Sequence, residues 1–179
     1  IGICGSGIVD AIAEMFVAGV VLRTGNINPE LKNLRIRKTE IGKEFVLAWA
    51  DETKGSVGDI VITQADIREI QLAKAALYTG AKILMKRRGV AERDIERVYL
   101  AGAFGTYIDK LSAKVIGLYP DIPLNRIKSV GNAAGMGAKH ALISREKRDD
   151  AKIIAKTTRY LELTAAPEFK DEFLAAMHL

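Results

Sequence analysis

The chain has 179 residues, of which 49% are hydrophobic and 27% are charged, a balance that is ordinary for a globular α/β domain. Its single cysteine, Cys4, excludes an internal disulfide and any metal or iron–sulfur site that needs several cysteines from this chain. The net charge of +5 is small and aromatic residues are few, so we expect no nucleic-acid binding. No apolar run reaches membrane-spanning length and no signal peptide is present, so we expect no membrane partner and a cytoplasmic location.

The first residues already belong to a motif, Cys4-Gly5-Ser6-Gly7, and the chain begins at Ile1 rather than at a methionine. We therefore expect residues 1–179 to form one domain of a longer protein. Ser6 is the expected N-cap of the first helix, because a serine hydroxyl accepts hydrogen bonds from the free amides of a first turn. The segment 26–58 is rich in turn residues, and we expect it to be an insertion of strands and turns.

A long helix is expected to begin at a capping box formed by Thr63 and Asp66 and to end near Arg88, before Gly89. The threonine hydroxyl accepts from the aspartate amide, and the carboxylate favours the positive end of the helix. Five residues recur at helical spacing and are expected to be buried: Ile67, Ile70, Leu77, Ala81 and Leu84.

The remaining elements follow from hydrophobic spacing and turn residues. Short apolar or alternating runs predict strands at 34–37, 44–49, 59–63, 98–101, 127–130 and 160–163, with a polar turn at 51–58. Helical spacing predicts helices at 107–117, 133–142, 145–156 and 167–177. From 63 to 142 the order is helix, strand, helix, strand, helix, which indicates an α/β sheet with helices packed on its faces.

Two glycine-bounded breaks follow neighbouring strands. The strand 98–101 ends at the bend Gly102-Ala103-Phe104-Gly105, and the strand 127–130 ends at Gly131-Asn132. Because ligands of open α/β sheets bind at the carboxyl ends of the strands, we expect both breaks to form part of a nucleotide pocket. A flat base can stack on glycine backbone there, and Asn132 can hydrogen-bond a base or ribose.

Other interpretations of these residues stay open. Asn132 equally fits an N-cap of the helix that follows it. Gln64 and Arg68 either face the pocket from the first turns of the long helix or belong to a solvated helix face. The bend 102–105, taken by itself, equally predicts an ordinary strand-to-helix turn.

The run from Ile62 to Ala141 resembles the nucleotide-binding second half of the superfamily of acetate and sugar kinases, heat-shock chaperone ATPases and actin. Residues 98–105 match its adenosine motif, an apolar strand ending in two small residues, here Gly102 and Ala103. Residues 131–138 match its second connecting motif. The resemblance implies an actin-like ATPase (ribonuclease H-like) half-domain, with a mixed α/β sheet and helices on its faces.

Five segments in order resemble more closely the C-terminal domain of the reductive activators of corrinoid-dependent methyltransferases: 4–10, 62–68, 101–105, 118–123 and 131–135. Such activators carry an N-terminal 2Fe–2S ferredoxin domain, and they use ATP to drive reduction of an inactive Co(II) corrinoid protein to Co(I) in anaerobic one-carbon metabolism. The resemblance therefore implies ATP as a cofactor and a 2Fe–2S cluster outside this chain. It implies a corrinoid protein as partner and makes a homodimer a further expectation.

The two phosphate loops of the superfamily, which hold the phosphates and the metal, are absent from this sequence and are expected before Ile1. We therefore expect the chain to supply adenosine contacts only, with no catalytic or metal-binding residue and no ATP hydrolysis by the isolated chain. Two other functions stay open. One is a protein-interaction or dimerisation domain that has lost nucleotide binding, and the other is half of a small-molecule kinase of the same superfamily.

Overall fold

The computed structural model describes residues 2–53 and 58–179. Its helices are α1 (Gly5–Val17), α2 (Gln64–Arg88), α3 (Gly102–Tyr107), α4 (Lys110–Val115), α5 (Ala133–Ile143), α6 (Arg145–Thr157) and α7 (Phe169–Ala175). Its strands are β1 (Ile36–Thr39), β2 (Gly42–Ala48), β3 (Ile60–Thr63), β4 (Val98–Ala101) and β5 (Ile127–Gly131). Among the described residues, no helix has both the length and the apolar character needed to cross a membrane.

The strands form two small sheets. Strands β1, β2 and β3 pair antiparallel in that order, whereas β4 and β5 pair parallel. Because β2 pairs directly with β3, the hairpin within 26–58 is continuous with the strand that leads into α2. The division of the chain at 26–58 stays a prediction, and the expected polar turn at 51–58 lies partly outside the described residues.

The capping box of α2 is formed as the sequence predicts. Thr63 Oγ1 accepts from the Asp66 amide at 3.1 Å, and Asp66 Oδ2 accepts from the Thr63 amide at 2.8 Å. The helix ends at Gly89, whose φ of +64° lies in the left-handed region that glycine adopts without strain. The boundaries predicted for this helix are therefore confirmed.

Burial along α2 is only partly as expected. Ile67 is fully buried, but Leu77 and Leu84 are 58% and 52% exposed, so the prediction that they are buried is wrong for these residues. Buried positions of α2 instead include the polar residues Gln71 and Lys74. Hydrophobic spacing predicted a buried stripe that includes Leu77 and Leu84. In the structure the rest of the domain packs instead on the face of α2 that carries Gln71 and Lys74.

The core lies between α1, α4 and the strands. Val9, Ile12 and Met15 form the buried face of α1. They belong to one cluster with residues from several other elements: Ile62, Ile67, Ile108, Ala113, Ile116, Ile122 and Ile127. Helix α1 begins at Gly5 with Cys4 at the N-cap position and no side-chain cap, so the prediction that Ser6 is the N-cap is wrong.

Three other predicted elements differ from the structure. The bend 102–105 is the start of helix α3, and the helix expected at 107–117 is the shorter α4, which Asp109 caps by accepting from the Ser112 amide. The run 160–163 is not a strand. It passes beside α2, where the Leu163 side chain occupies the space over Gly80. A short apolar run does not distinguish a strand from an extended segment that packs on a helix.

The end of the chain is held by buried polar groups of α2. Gln71 Nε2 donates to the Met177 carbonyl at 2.7 Å and to the Thr24 carbonyl at 3.1 Å. Lys74 Nζ donates to the His178 carbonyl. The Leu179 amide then donates to the Arg23 carbonyl at 2.9 Å, so the last residues join α2 to the loop after α1.

We expect Gln71→Ala to lower the free energy of unfolding by about 2–4 kcal/mol, because it removes three hydrogen bonds, to Thr24, Met177 and Arg68, and leaves a cavity. Urea unfolding followed by circular dichroism measures the loss. Glu69→Ala, an exposed position on the same helix, should change the free energy by less than about 0.5 kcal/mol. Equal effects of the two substitutions would contradict the anchoring role of Gln71.

The stability should also depend on pH through Lys74, whose pKa is lowered to about 8, first by burial and then by the charge of Arg23. Between this value and the ordinary value of 10.5, the unfolded chain binds more protons than the folded one. Burying the charged Lys74 amine therefore lowers the free energy of unfolding below about pH 8. This loss disappears as the pH rises towards 10.5, where the amine is neutral in the folded chain. Relative to Lys74→Met, the unaltered chain should gain unfolding free energy across this window. Parallel pH profiles of the two proteins would refute the assignment.

Candidate functional site

The parallel pairing of β4 and β5 brings the two predicted breaks together. Ala101 lies opposite Gly131 in the register of the two strands. Gly102 and Gly131, one at each break, have φ values of +84° and +63°. Where a Cβ atom would stand on either glycine there is no neighbouring atom within 4 Å. The edge therefore presents uncovered glycine backbone in conformations that other residues rarely adopt.

The other residues of the first break have different environments. Ala103 and Phe104 are exposed, and the Phe104 ring lies beside the N-terminus of α1, 3.8 Å from the position of a Cβ on Gly5. Gly105 is buried, and a Cβ there would lie 2.8 Å from the Leu100 carbonyl carbon. Gly105 thus allows α3 to pack closely on β4, and the open surface of this break belongs to Gly102, Ala103 and Phe104.

Asn132 caps helix α5. Its Oδ1 accepts from the Gly135 amide at 2.8 Å, which is the geometry of an N-cap side chain. A Cβ on Gly135 would lie 2.6 Å from Asn132 Nδ2, so the glycine leaves room for the capping side chain. Of the two interpretations left open for Asn132, the structure displays the cap, and its role as a ligand contact stays a prediction.

Gln64 and Arg68 are directed to the loop after α1 rather than to the two breaks. Gln64 accepts from the Ile27 amide at 2.9 Å and donates to the Gly25 carbonyl at 2.8 Å. Arg68 donates to the Thr24 carbonyl at 3.1 Å. Gln64 also lines a depression that contains none of the residues of either break. The structure therefore does not bring these two predicted site residues together with the other six.

An apolar cavity of about 380 Å³ adjoins the first break, where a pocket is expected, but the lining residues outside 102–105 are not among the predicted site residues. Its walls come from α2, from β4 and α3, and from the turn after α4, and they include Leu77, Ala81, Met85, Tyr99, Ala101, Phe104, Gly105, Tyr119 and Pro120. The exposed Leu77 is part of this lining. Its helical spacing was visible in the sequence, but the cavity forms only where α2 and β4 come together.

The titratable groups of this cavity are tyrosines. Burial raises the pKa of Tyr119 to about 12. A hydrogen bond from Arg97 lowers the pKa of Tyr99. No carboxylate or histidine lines the cavity, and the described residues contain no group of three or more His, Cys, Asp or Glu that could hold a metal ion. The arrangement suits binding of a flat or apolar group and offers no acid–base pair.

We expect Gly105→Ala to destabilise the domain by about 1–3 kcal/mol, because the added methyl group collides with the Leu100 backbone. Gly137→Ala is the matched control, since Gly137 lies within α5 with no atom within 4 Å of the position of a Cβ. That change should stabilise by about 0.5–1 kcal/mol through helix propensity. Thermal unfolding measures both, and a shift in the same direction for both would contradict the packing role of Gly105.

Three proteins similar to this chain all carry names that refer to corrinoid activation or reduction. The chain is 39% identical to the "Corrinoid activation enzyme RamQ" of Eubacterium limosum, over 97% of this chain and 30% of that protein. It is 26% identical to the "[Co(II) methylated amine-specific corrinoid protein] reductase" of Methanosarcina barkeri, over 99% of this chain and 29% of that protein. A solved structure of a "Reductive activator for corrinoid,iron-sulfur protein" matches with a TM-score of 0.90 and 43% identity, over 99% of this chain and 28% of that one.

The chain thus spans less than a third of the length of these relatives. A family model described as "C-terminal domain of RACo the ASKHA domain" matches residues 1–179. These matches confirm the resemblance to reductive activators and the predicted fold class. The chain belongs to the family of C-terminal ASKHA domains of RACo-type reductive activators.

Proposed function

We propose that this chain supplies the adenosine side of an ATP site in a protein that uses ATP to drive reduction of a corrinoid protein from Co(II) to Co(I). The observation that carries the proposal is the pairing of Ala101 with Gly131, which sets two uncovered glycines side by side at one sheet edge. Its relatives are a corrinoid activation enzyme and a Co(II) corrinoid protein reductase, which supports the same activity for the longer protein.

The residues present fit an adenosine group. Gly102 and Gly131 leave the backbone open where any larger residue would place a Cβ, and Phe104, two residues after Gly102, supplies a half-exposed ring next to the N-terminus of α1. Base stacking on exposed backbone and ring needs such a surface. Gly105 and Asn132 act indirectly by holding α3 on β4 and by beginning α5.

ATP would supply the free energy for a reduction that physiological electron donors do not accomplish unaided. In this proposal the described chain binds and orients the nucleotide and carries none of the electron-transfer chemistry. The phosphates, the metal and the 2Fe–2S cluster are assigned to the remainder of the longer protein. Cys4 alone does not supply a cluster with its ligands.

A second candidate function is protein interaction or dimerisation. Apolar residues of α5 and α6 are largely exposed: Leu142, Ile143, Ile153 and Ile154, at 77%, 72%, 61% and 62%. Helix α5 has no buried residue. Exposed apolar groups of this extent favour a surface that another chain or another part of the same protein covers.

Ala103→Phe tests the nucleotide site. Ala103 is an exposed helical residue next to Gly102, so a phenyl ring fills the open space without straining the backbone. We expect the full-length protein to bind ATP and the variant to bind it at least about tenfold more weakly. Ala73→Phe, an exposed position on α2, should bind ATP normally. Isothermal titration calorimetry measures the affinities.

The activity itself is measured by the absorbance change of the corrinoid protein on reduction, with and without ATP, using the same full-length proteins. The expected result is ATP-dependent formation of Co(I) that Ala103→Phe slows and Ala73→Phe does not. Absence of ATP binding by the unaltered protein would favour the interaction function. Nucleotide-dependent phosphorylation of a small molecule in place of corrinoid reduction would favour the kinase interpretation.

A further inference from the structure

A second cleft, at the C-terminal end of α2, combines arginines with exposed apolar residues. It has a volume of about 710 Å³ and lies between the last turns of α2 and the segment that follows α6. We name it the basic cleft, and it is lined by Leu84, Arg87, Arg88, Thr157, Arg159, Tyr160 and Leu161. It shares no residue with the cavity beside Gly102.

The apolar part of the basic cleft is open to solvent. Leu84 is 52% exposed and Tyr160 is 85% exposed. The Tyr160 hydroxyl donates to Glu162, so the ring is held at the rim while its faces stay uncovered. A large aromatic residue and a leucine exposed together are typical of surfaces that bind another protein.

The charges of the basic cleft are only partly neutralised. Arg87 approaches Glu168, with 3.8 Å between a guanidinium nitrogen and a carboxylate oxygen. Within residues 2–53 and 58–179, Arg88 and Arg159 form no ion pair, and the nearby Glu162 already accepts from Tyr160 and Thr164. Two guanidinium groups, each able to bind a carboxylate through two parallel hydrogen bonds, are therefore available.

The dipole of helix α2 accounts for only part of this cluster of arginines. Cations in the last turn of α2 complement the negative end of the helix dipole, which explains Arg87 and Arg88. Arg159 comes from a different segment, beyond the end of α6, and the dipole of α2 does not require it there. Its presence in the same cleft as Leu84 and Tyr160 indicates recognition of an opposite charge next to an apolar group.

We propose that the basic cleft docks an acidic segment of a partner protein. Carboxylates of that segment bind Arg88 and Arg159, and an apolar side chain between them packs against Leu84 and Tyr160. Because the cleft and the candidate nucleotide wall are built from different residues, both can be occupied at the same time. The inference goes beyond the proposed function. It does not depend on which nucleotide binds beside Gly102.

The test uses the full-length protein and a fluorescein-labelled peptide that alternates glutamate and leucine, followed by fluorescence anisotropy. We expect saturable binding that weakens as salt is added. The double variant Arg88→Glu/Arg159→Glu should bind at least about tenfold more weakly. Lys32→Glu/Lys38→Glu makes the same change in net charge at exposed positions outside the cleft and should change the affinity by less than about twofold.

Two further variants separate docking from unfolding and from general charge attraction. Arg88→Gln/Arg159→Gln should keep the thermal unfolding midpoint and still weaken binding, and Tyr160→Ser should weaken it without any change of charge. Equal losses in both Glu double variants would overturn the proposal, because binding would then follow net charge alone. Absence of saturable binding by the unaltered protein would also overturn it. Neither result bears on ATP binding or corrinoid reduction, so the two proposals fail separately.

Discussion

The candidate nucleotide site depends on the parallel pairing of β4 with β5. That pairing aligns Ala101 with Gly131, and the chain can leave both strands at the same edge because Gly102 and Gly131 adopt positive φ. The close approach at Gly105 then holds α3 against β4. A Cβ at Gly105 would collide with the Leu100 backbone, and one at Gly102 or Gly131 would strain a backbone with positive φ, so the binding surface and the fold are specified by the same residues.

Helix α2 organises the rest of the domain. Its N-terminal half holds the loop after α1 through Gln64 and Arg68, and its buried Gln71 and Lys74 hold the last residues of the chain. Farther along, Glu172 of α7 pairs with Lys82 at 2.5 Å. The side of α2 left uncovered by these contacts lines the apolar cavity and the basic cleft.

Local signals predicted much of this fold. The predictions are correct for the capping box at Thr63, for the end of α2 at Gly89 and for the strand 98–101. Each of these features depends on neighbouring residues alone. The errors concern packing. Leu77 has core spacing but lines a cavity, and the run 160–163 has the composition of a strand but lies beside α2. The sequence did not reveal the hydrogen-bond partners of Gln64 and Arg68, because those partners lie about forty residues away along the chain.

The sequence by itself determined the order of the main elements, the two glycine breaks and the family, since motifs and capping residues act over a few positions. Only the tertiary structure decided which glycines face open space and which pack against other backbone. Gly102 and Gly105 look alike in sequence, but a Cβ on Gly102 would meet no atom and one on Gly105 would meet Leu100. The tertiary structure also decided that Asn132 caps α5 and that Arg159 joins Arg88 in one cleft. The cap is a local contact that the sequence left as one of two alternatives, whereas Arg88 and Arg159 come from distant segments that meet only once the chain has packed.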